Sequence, residues 1–242
     1  MTKGSGSEPA SAEPIENAAI TLYGMTKSRA GRTVWALEEI GLTYEQVHVD
    51  YRDGGTRTPE YLAVNPNGRI PTLVDGDLVL YESAAINHYL ADRYDGGIRP
   101  LEVEDRAQAL MWSFWSANET ENLLRPLIRN RLAVHPTDRD PAAADQAEVL
   151  LERPLSILDE YLSEKTHLVG DRFSVADINV AFGLMWLPLV DVGIDCWPAL
   201  TRWFERCAGR AAYRRVAGEQ PSFDDEDVRT QGDPDPRGGV FG

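Results

Sequence analysis

Three short stretches of this chain carry side chains that could bind and activate a small peptide. Glu82 and Ser83 precede an apolar run with helical spacing, and a helix start with free N–H groups and a hydroxyl suits a carboxylate. Ile70 precedes Pro71, and because an X-Pro bond takes the cis form at low cost, a tight turn here could present the Ile70 backbone to a peptide ligand. Ser28 stands where a first strand meets a first helix, a place that favours an anion.

The elements around these residues indicate an α/β domain. Residues 20–24 are typical of a short strand, residues 34–40 have the apolar spacing of a helix, and Gly41 suits a left-handed C-cap. Residues 44–49 alternate as a second strand, and the turn at residues 75–77 joins two further strands in a hairpin. A doubly wound dinucleotide-binding fold is disfavoured, because the first strand is not followed by GxGxxG and a hairpin stands where that fold needs a crossover.

From about Ile20 to Val216 the chain resembles the cytosolic glutathione S-transferases, most specifically in the stretch Asn65 to Ser83 with its Gly-Arg-Ile-Pro and Glu-Ser sequences. The resemblance implies an α/β thioredoxin-like N-terminal domain at residues 19–95 plus an all-α C-terminal helical bundle domain at residues 101–216. It also implies a homodimeric transferase of the serine type, with glutathione as co-substrate and a small hydrophobic electrophile as its second substrate.

The resemblance makes Ser28 the predicted catalytic residue, because the matching hydroxyl of the serine-type branch donates a hydrogen bond to the glutathione sulfur. Such a bond is worth about 1.5–3 kcal/mol and lowers a thiol pKa by about one to two pH units. Other interpretations stay open. Ser28 could merely cap its helix. Tyr23 stands where another branch carries a catalytic tyrosine, and Thr26 could reach the thiol if the loop is displaced by two residues.

The resemblance also assigns the glutathione-binding residues. Glu82 matches the partner of the γ-glutamyl ammonium, and Ser83 matches the partner of the γ-glutamyl carboxylate. Ile70 matches the residue whose backbone pairs with the cysteinyl unit, and Arg69 can fork onto the glycyl carboxylate. Arg57 is a weaker candidate for that carboxylate, since exposed arginines are commonly just solvated surface. The chain has 3 lysines against 21 arginines, a bias that can accompany GC-rich genomes, so a different low-molecular-weight thiol stays an alternative.

Beyond Asp95 the composition changes to helix formers with long apolar periodicity. Pro126 is expected to kink or end a helix, another helix is expected from about Pro141 to Glu164, and Ser174 with Asp177 predicts a capping box. An aromatic stripe at helical spacing is more often core than pocket. The residues expected to line the electrophile pocket are Trp112, Trp115 and Asn118, with Phe114, Met185 and Trp186 as further candidates.

The cysteine pattern narrows the chemistry. The N-terminal domain contains no cysteine, which excludes a thioredoxin, a glutaredoxin or a cysteine-type transferase. Cys196 and Cys207 are far apart and predict neither a disulfide framework nor a metal site. Two other functions stay open: a glutathione-dependent disulfide reductase or peroxidase that would use the same Ser28, and a non-catalytic binding module.

The chain carries a formal net charge of −15, which argues against nucleic acid or anionic membranes as partners. Part of this charge lies in two segments expected to be disordered, residues 1–18 and the acidic tail 217–242. The first segment lacks the apolar stretch of a signal peptide, and no apolar run approaches the roughly 20 residues of a membrane span. We therefore expect a cytoplasmic protein.

Overall fold

The structure, a computed structural model, describes residues 20–218 of the chain. The predicted tail at residues 1–18 lies outside the described residues, as does the predicted tail at 217–242 except for its first two residues, which belong to the last helix. The N-terminal domain contains, in chain order, β1 Ile20–Tyr23, α1 Ala30–Ile40, β2 Tyr44–Val47, a 3₁₀ turn Gly55–Arg57, α2 Pro59–Val64, β3 Thr72–Asp75, β4 Leu78–Tyr81 and α3 Ser83–Tyr94.

The four strands of this domain form a mixed sheet in the order β2-β1-β3-β4. β1 pairs with β2 in parallel, whereas β1 with β3 and β3 with β4 are antiparallel. The predicted hairpin is confirmed, with Asp75 opposite Leu78. Leu22 on β1 lies opposite Leu73 on β3, so their side chains share one sheet face. Both are fully buried in the core cluster that also contains Leu37 of α1 and Leu90 of α3.

Local signals set the two ends of α1. At its start, the backbone N–H of Ala30 donates to the Ser28 hydroxyl over 3.1 Å. At its end, Gly41 adopts the left-handed conformation with φ 78° and donates its N–H to the Leu37 carbonyl, so the predicted C-cap is confirmed. α1 is thereby held with its N-terminal turn beside the end of β1, where the candidate catalytic residue stands.

The second domain of the described chain is helical. It contains α4 Val103–Trp115, a π-helical segment Ser116–Thr120, α5 Glu121–Ile128, a second π-helical segment Arg129–Ala133, a 3₁₀ turn Pro136–Asp138, α6 Pro141–Leu162, α7 Val175–Leu184, a 3₁₀ turn Pro188–Val190, α8 Pro198–Ala208 and α9 Ala211–Gly218. α5 continues through Pro126 and ends two residues later, where the chain passes into the second π-helical segment. π-helical segments thus flank α5 on both sides.

α7 is buried along its whole length and joins the two domains. The predicted capping box is confirmed, because Asp177 accepts a hydrogen bond from the Ser174 backbone N–H over 2.9 Å and the Ser174 hydroxyl caps the helix start. Between the two domains, Asn87 on α3 donates a hydrogen bond to Asn179 on α7 over 2.9 Å. The apolar core runs continuously from the sheet into the helices, so the two domains are packed as one body.

Candidate active site

The loop between β1 and α1 holds Ser28 in a buried position, with 3% of its surface exposed. Its hydroxyl donates to the Met25 carbonyl over 2.8 Å and accepts from the Ala30 N–H over 3.1 Å. The hydroxyl therefore serves as a cap for the first turn of α1. A serine hydroxyl has one proton and two lone pairs, so the capping role uses one lone pair and the proton is the part that a ligand would have to redirect.

The two alternative thiol partners lie elsewhere in the same loop region. Tyr23 packs in a small cluster in which its ring lies 6.1 Å from that of Tyr61. Thr26 is nearly buried, and its hydroxyl accepts a hydrogen bond over 3.2 Å from Gln46 on β2. Gln46 also donates to the Gly24 carbonyl, so β2 fixes the shape of this loop.

A cleft that opens to solvent lies beside this loop. The structure brings four of the predicted glutathione-binding residues together in its wall, and two asparagines and an arginine join them. The lining residues are Arg29, Asn65, Asn67, Arg69, Ile70, Pro71, Tyr81, Glu82 and Ser83. Ser28 precedes Arg29 in the chain but is not itself among the lining residues.

Side-chain hydrogen bonds fix the backbone of the turn that leads into β3. The Ile70–Pro71 peptide bond is cis, as the sequence predicts. Tyr61 donates its hydroxyl to the Arg69 carbonyl over 2.6 Å, and Asn65 donates to the same carbonyl over 2.8 Å. The Ile70 side chain is buried, whereas the Arg69 side chain is exposed at the cleft wall. These contacts fix the backbone that a peptide ligand would meet.

Arg57 is not one of the described residues that line this cleft. Its guanidinium donates to the Asn67 carbonyl over 3.3 Å, and Asn67 is itself a lining residue. Arg57 therefore supports the loop that contains Asn67. A direct contact of Arg57 with the ligand stays a prediction.

Glu82 connects β4 to α3 with a backbone that few residues adopt, φ 71° and ψ 103°. A non-glycine residue in such a conformation costs of order 1–3 kcal/mol and is found preferentially at functional sites. Glu82 is exposed, while the next residue, Ser83, is 4% exposed and begins α3. The strained junction thus places a carboxylate at the cleft wall directly before a buried hydroxyl at a helix N-terminus, the arrangement that suits a zwitterionic ligand.

A buried ion cluster connects the cleft to the helical domain. Glu121, at the start of α5, receives hydrogen bonds from two arginines of α1 and its N-terminal loop: Arg29 over 2.6 Å and Arg32 at shorter range. Arg32 also donates to the Ser83 hydroxyl over 3.1 Å. The chain of contacts runs from the second domain through Arg32 to a residue of the cleft.

The positive charges of Arg29 and Arg32 stabilise the buried carboxylate of Glu121. Glu121 has a side chain that is 4% exposed, and burial by itself would raise its pKa. Attraction to Arg32 and Arg29, together with their hydrogen bonds, outweighs burial, so the pKa of Glu121 lies below its ordinary value. Glu121 is consequently a carboxylate at neutral pH and holds both arginines in place.

The residues expected to line the electrophile pocket are not gathered in one place. Trp112 is 4% exposed, with its ring 4.6 Å from that of Tyr161 and 5.1 Å from that of Trp115. Met185 and Trp186 belong to the core as well. Asn118 and Phe114 are exposed, and the Asn118 amide donates to the Phe114 carbonyl within the helix. None of these residues is among those that line the cleft, and their contact with an electrophile stays a prediction.

Arg29, Arg32 and Glu121 were not singled out from the sequence, although one signal was available. Arg29 and Arg32 stand at the N-terminus of α1, whose first turn has no acidic residue, and positive charge there opposes the helix dipole. Such a placement needs a compensating acid. The acid is 92 residues from Arg29 along the chain, and nothing in the local sequence identifies it.

Among residues 20–218, no helix is long and apolar enough to cross a membrane. No group of three or more His, Cys, Asp or Glu side chains in this range is arranged to hold a metal ion.

A thioredoxin-like domain with a cis-proline turn and a Glu-Ser helix start, packed on a helical domain, defines a class of thiol-binding two-domain proteins. Comparison with known proteins gives the family. Residues 18–92 match the model of the glutathione S-transferase N-terminal domain, and residues 119–211 match that of the glutathione S-transferase C-terminal domain.

Comparison with individual proteins gives the same family. The chain is 33% identical over 211 residues to glutathione S-transferase GstB of Escherichia coli, covering 81% of this chain and 97% of the relative. It is 32% identical to glutathione S-transferase 3 of Zea mays over 220 residues, which is 84% of this chain and 96% of that one. Among solved structures, the theta class glutathione S-transferase of Xanthomonas axonopodis pv. citri with glutathione bound superposes with a TM-score of 0.75 at 34% identity, covering 82% of this chain and 97% of that one.

The chain therefore belongs to the cytosolic glutathione S-transferase family, a family of transferases. The predicted family and the predicted fold class are confirmed. The roles of individual site residues are the subject of the proposals below.

Proposed function

We propose that the protein binds glutathione in the cleft beside α1 and transfers it, as a thiolate ionised with the help of Ser28, to an electrophilic small molecule. The observation that carries this proposal is the assembly of Arg69, Ile70, Glu82 and Ser83 around one cleft at the N-terminus of α1. These residues are distant in sequence from Ser28, and the fold places them next to its neighbour Arg29.

The charges of glutathione match this wall. Glu82 accepts from the γ-glutamyl ammonium, and the Ser83 hydroxyl with the N-terminus of α3 binds the γ-glutamyl carboxylate. The Ile70 backbone pairs with the cysteinyl unit, and Arg69 binds the glycyl carboxylate. Because the Ser83 oxygen accepts from Arg32, the Ser83 proton is available to donate to a ligand carboxylate.

The reaction needs no nucleophile from the protein. The thiol proton leaves to solvent, the sulfur keeps the electron pair and forms a bond to the electrophilic carbon, and the leaving group departs with its own pair. A conjugation assay with a generic aromatic electrophile, run beside a glutathione-dependent disulfide-reduction assay, tests the proposal. Conjugation is the expected activity, whereas glutathione binding without turnover in either assay would favour a binding module.

Glutathione is expected to stabilise the fold by about 2.7 kcal/mol at a hundredfold excess over its dissociation constant. The physical reason is that the ligand contacts several elements of the folded cleft that do not exist as a site in the unfolded chain. Thermal melts with and without millimolar glutathione measure the shift.

The matched variants for this melt are Ser83→Ala, which removes the proposed carboxylate partner, and Ser163→Ala, which changes an exposed serine at the end of α6. Each variant is compared with its own ligand-free melt. The shift should shrink in Ser83→Ala and persist in Ser163→Ala. No shift in the wild type would contradict the proposal.

The protein is further expected to be a homodimer, as the family resemblance implies. Exposed apolar side chains support this expectation: the edge strand β4 has Val79, 41% exposed, and helix α4 of the second domain has Val103, 62% exposed. Apolar side chains on both domains suit an isologous contact in which β4 of one subunit meets α4 of the other. A cytoplasmic location likewise stays a prediction.

Light scattering tests the oligomeric state. The dimer should give about twice the chain mass of 26.9 kDa, and a mass near that of one chain would contradict it. Val79→Glu should shift the protein toward the monomer because it places a charge in the apolar contact. Leu150→Glu, on the exposed side of α6, is the control and should leave the mass unchanged.

A further inference from the structure

Arg29 lines the cleft from the side of α1, and no group of glutathione is assigned to it. Both carboxylates of the tripeptide have other proposed partners, Ser83 with the N-terminus of α3 at one end and Arg69 at the other. Arg29 directly follows Ser28, the residue expected to contact the thiol, so their Cα atoms are about 3.8 Å apart. The cleft therefore contains an additional cation on the side of the sulfur.

The helical domain holds the Arg29 side chain in place. Its Nη2 donates to Oε2 of Glu121, at the start of α5, over 2.6 Å. The other carboxylate oxygen of Glu121 accepts from Arg32, whose side chain is 4% exposed, whereas the Arg29 side chain is 18% exposed. Arg29 is thus the member of this cluster that lines the cleft, and its guanidinium lies where the first domain meets α5.

The chemistry of a guanidinium in this place suits a second carboxylate. An arginine has five N–H donors in a planar fork, so it can hold Glu121 and also bind a further carboxylate. Because the side chain is mostly buried, a charged hydrogen bond made there is stronger than one at the open surface. The anion that Arg29 is placed to receive lies beside the sulfur and toward the helical domain, which is the position of the second substrate in the proposed reaction.

We propose that Arg29 binds a carboxylate of the second substrate, so that the enzyme selects small electrophiles that carry an acidic group. This inference rests on the proposed function, since it names the class of electrophile that the same cleft accepts. The carboxylate does not react; its contact with Arg29 positions the electrophilic carbon for the sulfur. The chain as a whole has a net charge of −15, which repels anions at long range, so a preference for an acid requires a local cation.

The test uses two electrophiles that differ in charge alone: a chlorodinitrobenzoate whose chlorine lies para to the carboxylate, and the matching neutral chlorodinitrobenzamide. In both, the thiol proton leaves to solvent, the sulfur forms a bond to the ring carbon, and chloride departs with the electron pair of its bond. The ratio of the two kcat/KM values, corrected for the uncatalysed rates, should favour the acid by about tenfold or more in the wild type. Effects on the thiol cancel in this ratio, because the same thiolate attacks both electrophiles.

Variants of Arg29 locate the origin of the preference. Arg29→Gln should lower the preference for the acid by about tenfold to hundredfold, because it removes a charged hydrogen-bond partner. Arg29→Lys should retain part of it, since lysine keeps the charge and loses the fork. Arg153→Gln is the matched control, because it removes the same charge from an exposed position on α6, and it should leave the ratio unchanged.

Three results would overturn the inference. The first is a wild type without preference for the acid, a measurement that requires no variant to fold. The second is an unchanged ratio in folded Arg29→Gln. The third is an equal loss of activity with the acid and the amide together with a raised KM for glutathione, which would assign Arg29 to glutathione instead.

Failure of the proposed function gives a different result. In that case the wild type conjugates neither electrophile, and the inference falls with the proposed function. Conjugation of both electrophiles without preference for the acid leaves the proposed function standing and overturns only the role of Arg29.

Discussion

Glu121→Gln should lower the free energy of unfolding by about 3–5 kcal/mol, the range seen when one partner of a buried ion pair is removed. The substitution keeps the shape of the side chain and removes its charge. Arg32, whose side chain is 4% exposed, would then be a buried cation without its carboxylate. Urea unfolding of the wild type and the variant at neutral pH measures the difference.

The same substitution should also weaken glutathione binding. Glu121 holds Arg32, and Arg32 donates to the Ser83 hydroxyl that is proposed to bind the γ-glutamyl carboxylate. When Arg32 loses its anchor, the Ser83 hydroxyl loses its orientation, so KM for glutathione should rise more than kcat falls. If the role of Glu121 is purely structural, the substitution should lower stability and leave KM for glutathione unchanged relative to kcat.

Glu119→Gln is the control for both measurements. Glu119 is exposed in the π-helical segment just before α5, and its loss of charge should change stability by less than about 0.5 kcal/mol. Equal effects of the two substitutions would contradict the role given to the buried cluster.

The stabilisation should depend on pH in a defined direction. The pKa of Glu121 in the folded protein lies below its ordinary value of 4.5, since attraction to Arg32 and Arg29 outweighs burial. Its contribution is therefore fully present above that ordinary value and is lost as the pH falls through the folded pKa. The stability difference between wild type and Glu121→Gln should be largest near neutral pH and should narrow as the pH falls below the ordinary value and through the folded pKa.

The sequence predicts the N-terminal half of the site because the signals there are local. Gly41 needs a left-handed conformation, the turn at residues 75–77 contains an Asp-Gly pair, and Pro71 follows a residue that can form a cis bond. Each signal acts over a few residues. The strand order and the positions of Ile70, Glu82 and Ser83 in one cleft follow from such local signals together with the family resemblance.

The remainder depends on contacts between residues that are distant in sequence. Glu121 meets Arg29 and Arg32 across 92 and 89 residues. Helical periodicity gives Trp112 and Trp115 the same pattern whether they face a core or a pocket. The structure places Trp112 in the core, which periodicity alone does not distinguish from a substrate site.

Ser28→Ala should lower turnover by about tenfold to hundredfold at neutral pH, because the bond from a hydroxyl to a charged sulfur is worth roughly 1.5–3 kcal/mol. Glutathione affinity should stay nearly intact, since Ile70, Glu82 and Ser83 hold the tripeptide. Turnover should recover in part at higher pH, where the free thiol ionises by itself. The pH dependence of kcat and the affinity for glutathione measure these effects on one variant.

Ser28→Ala should also lower the stability of the fold, because the Ser28 oxygen accepts a hydrogen bond from the Ala30 N–H at the start of α1. Removing that bond should cost about 1 kcal/mol of stability, whereas glycine at a helix cap costs only a few tenths of a kcal/mol. Ser28→Gly is therefore the matched variant: it should lose as much turnover as Ser28→Ala with a smaller loss of stability. If neither variant changes the shape of the pH profile, the hydroxyl is only a cap. Tyr23→Phe and Thr26→Val would then identify the thiol partner.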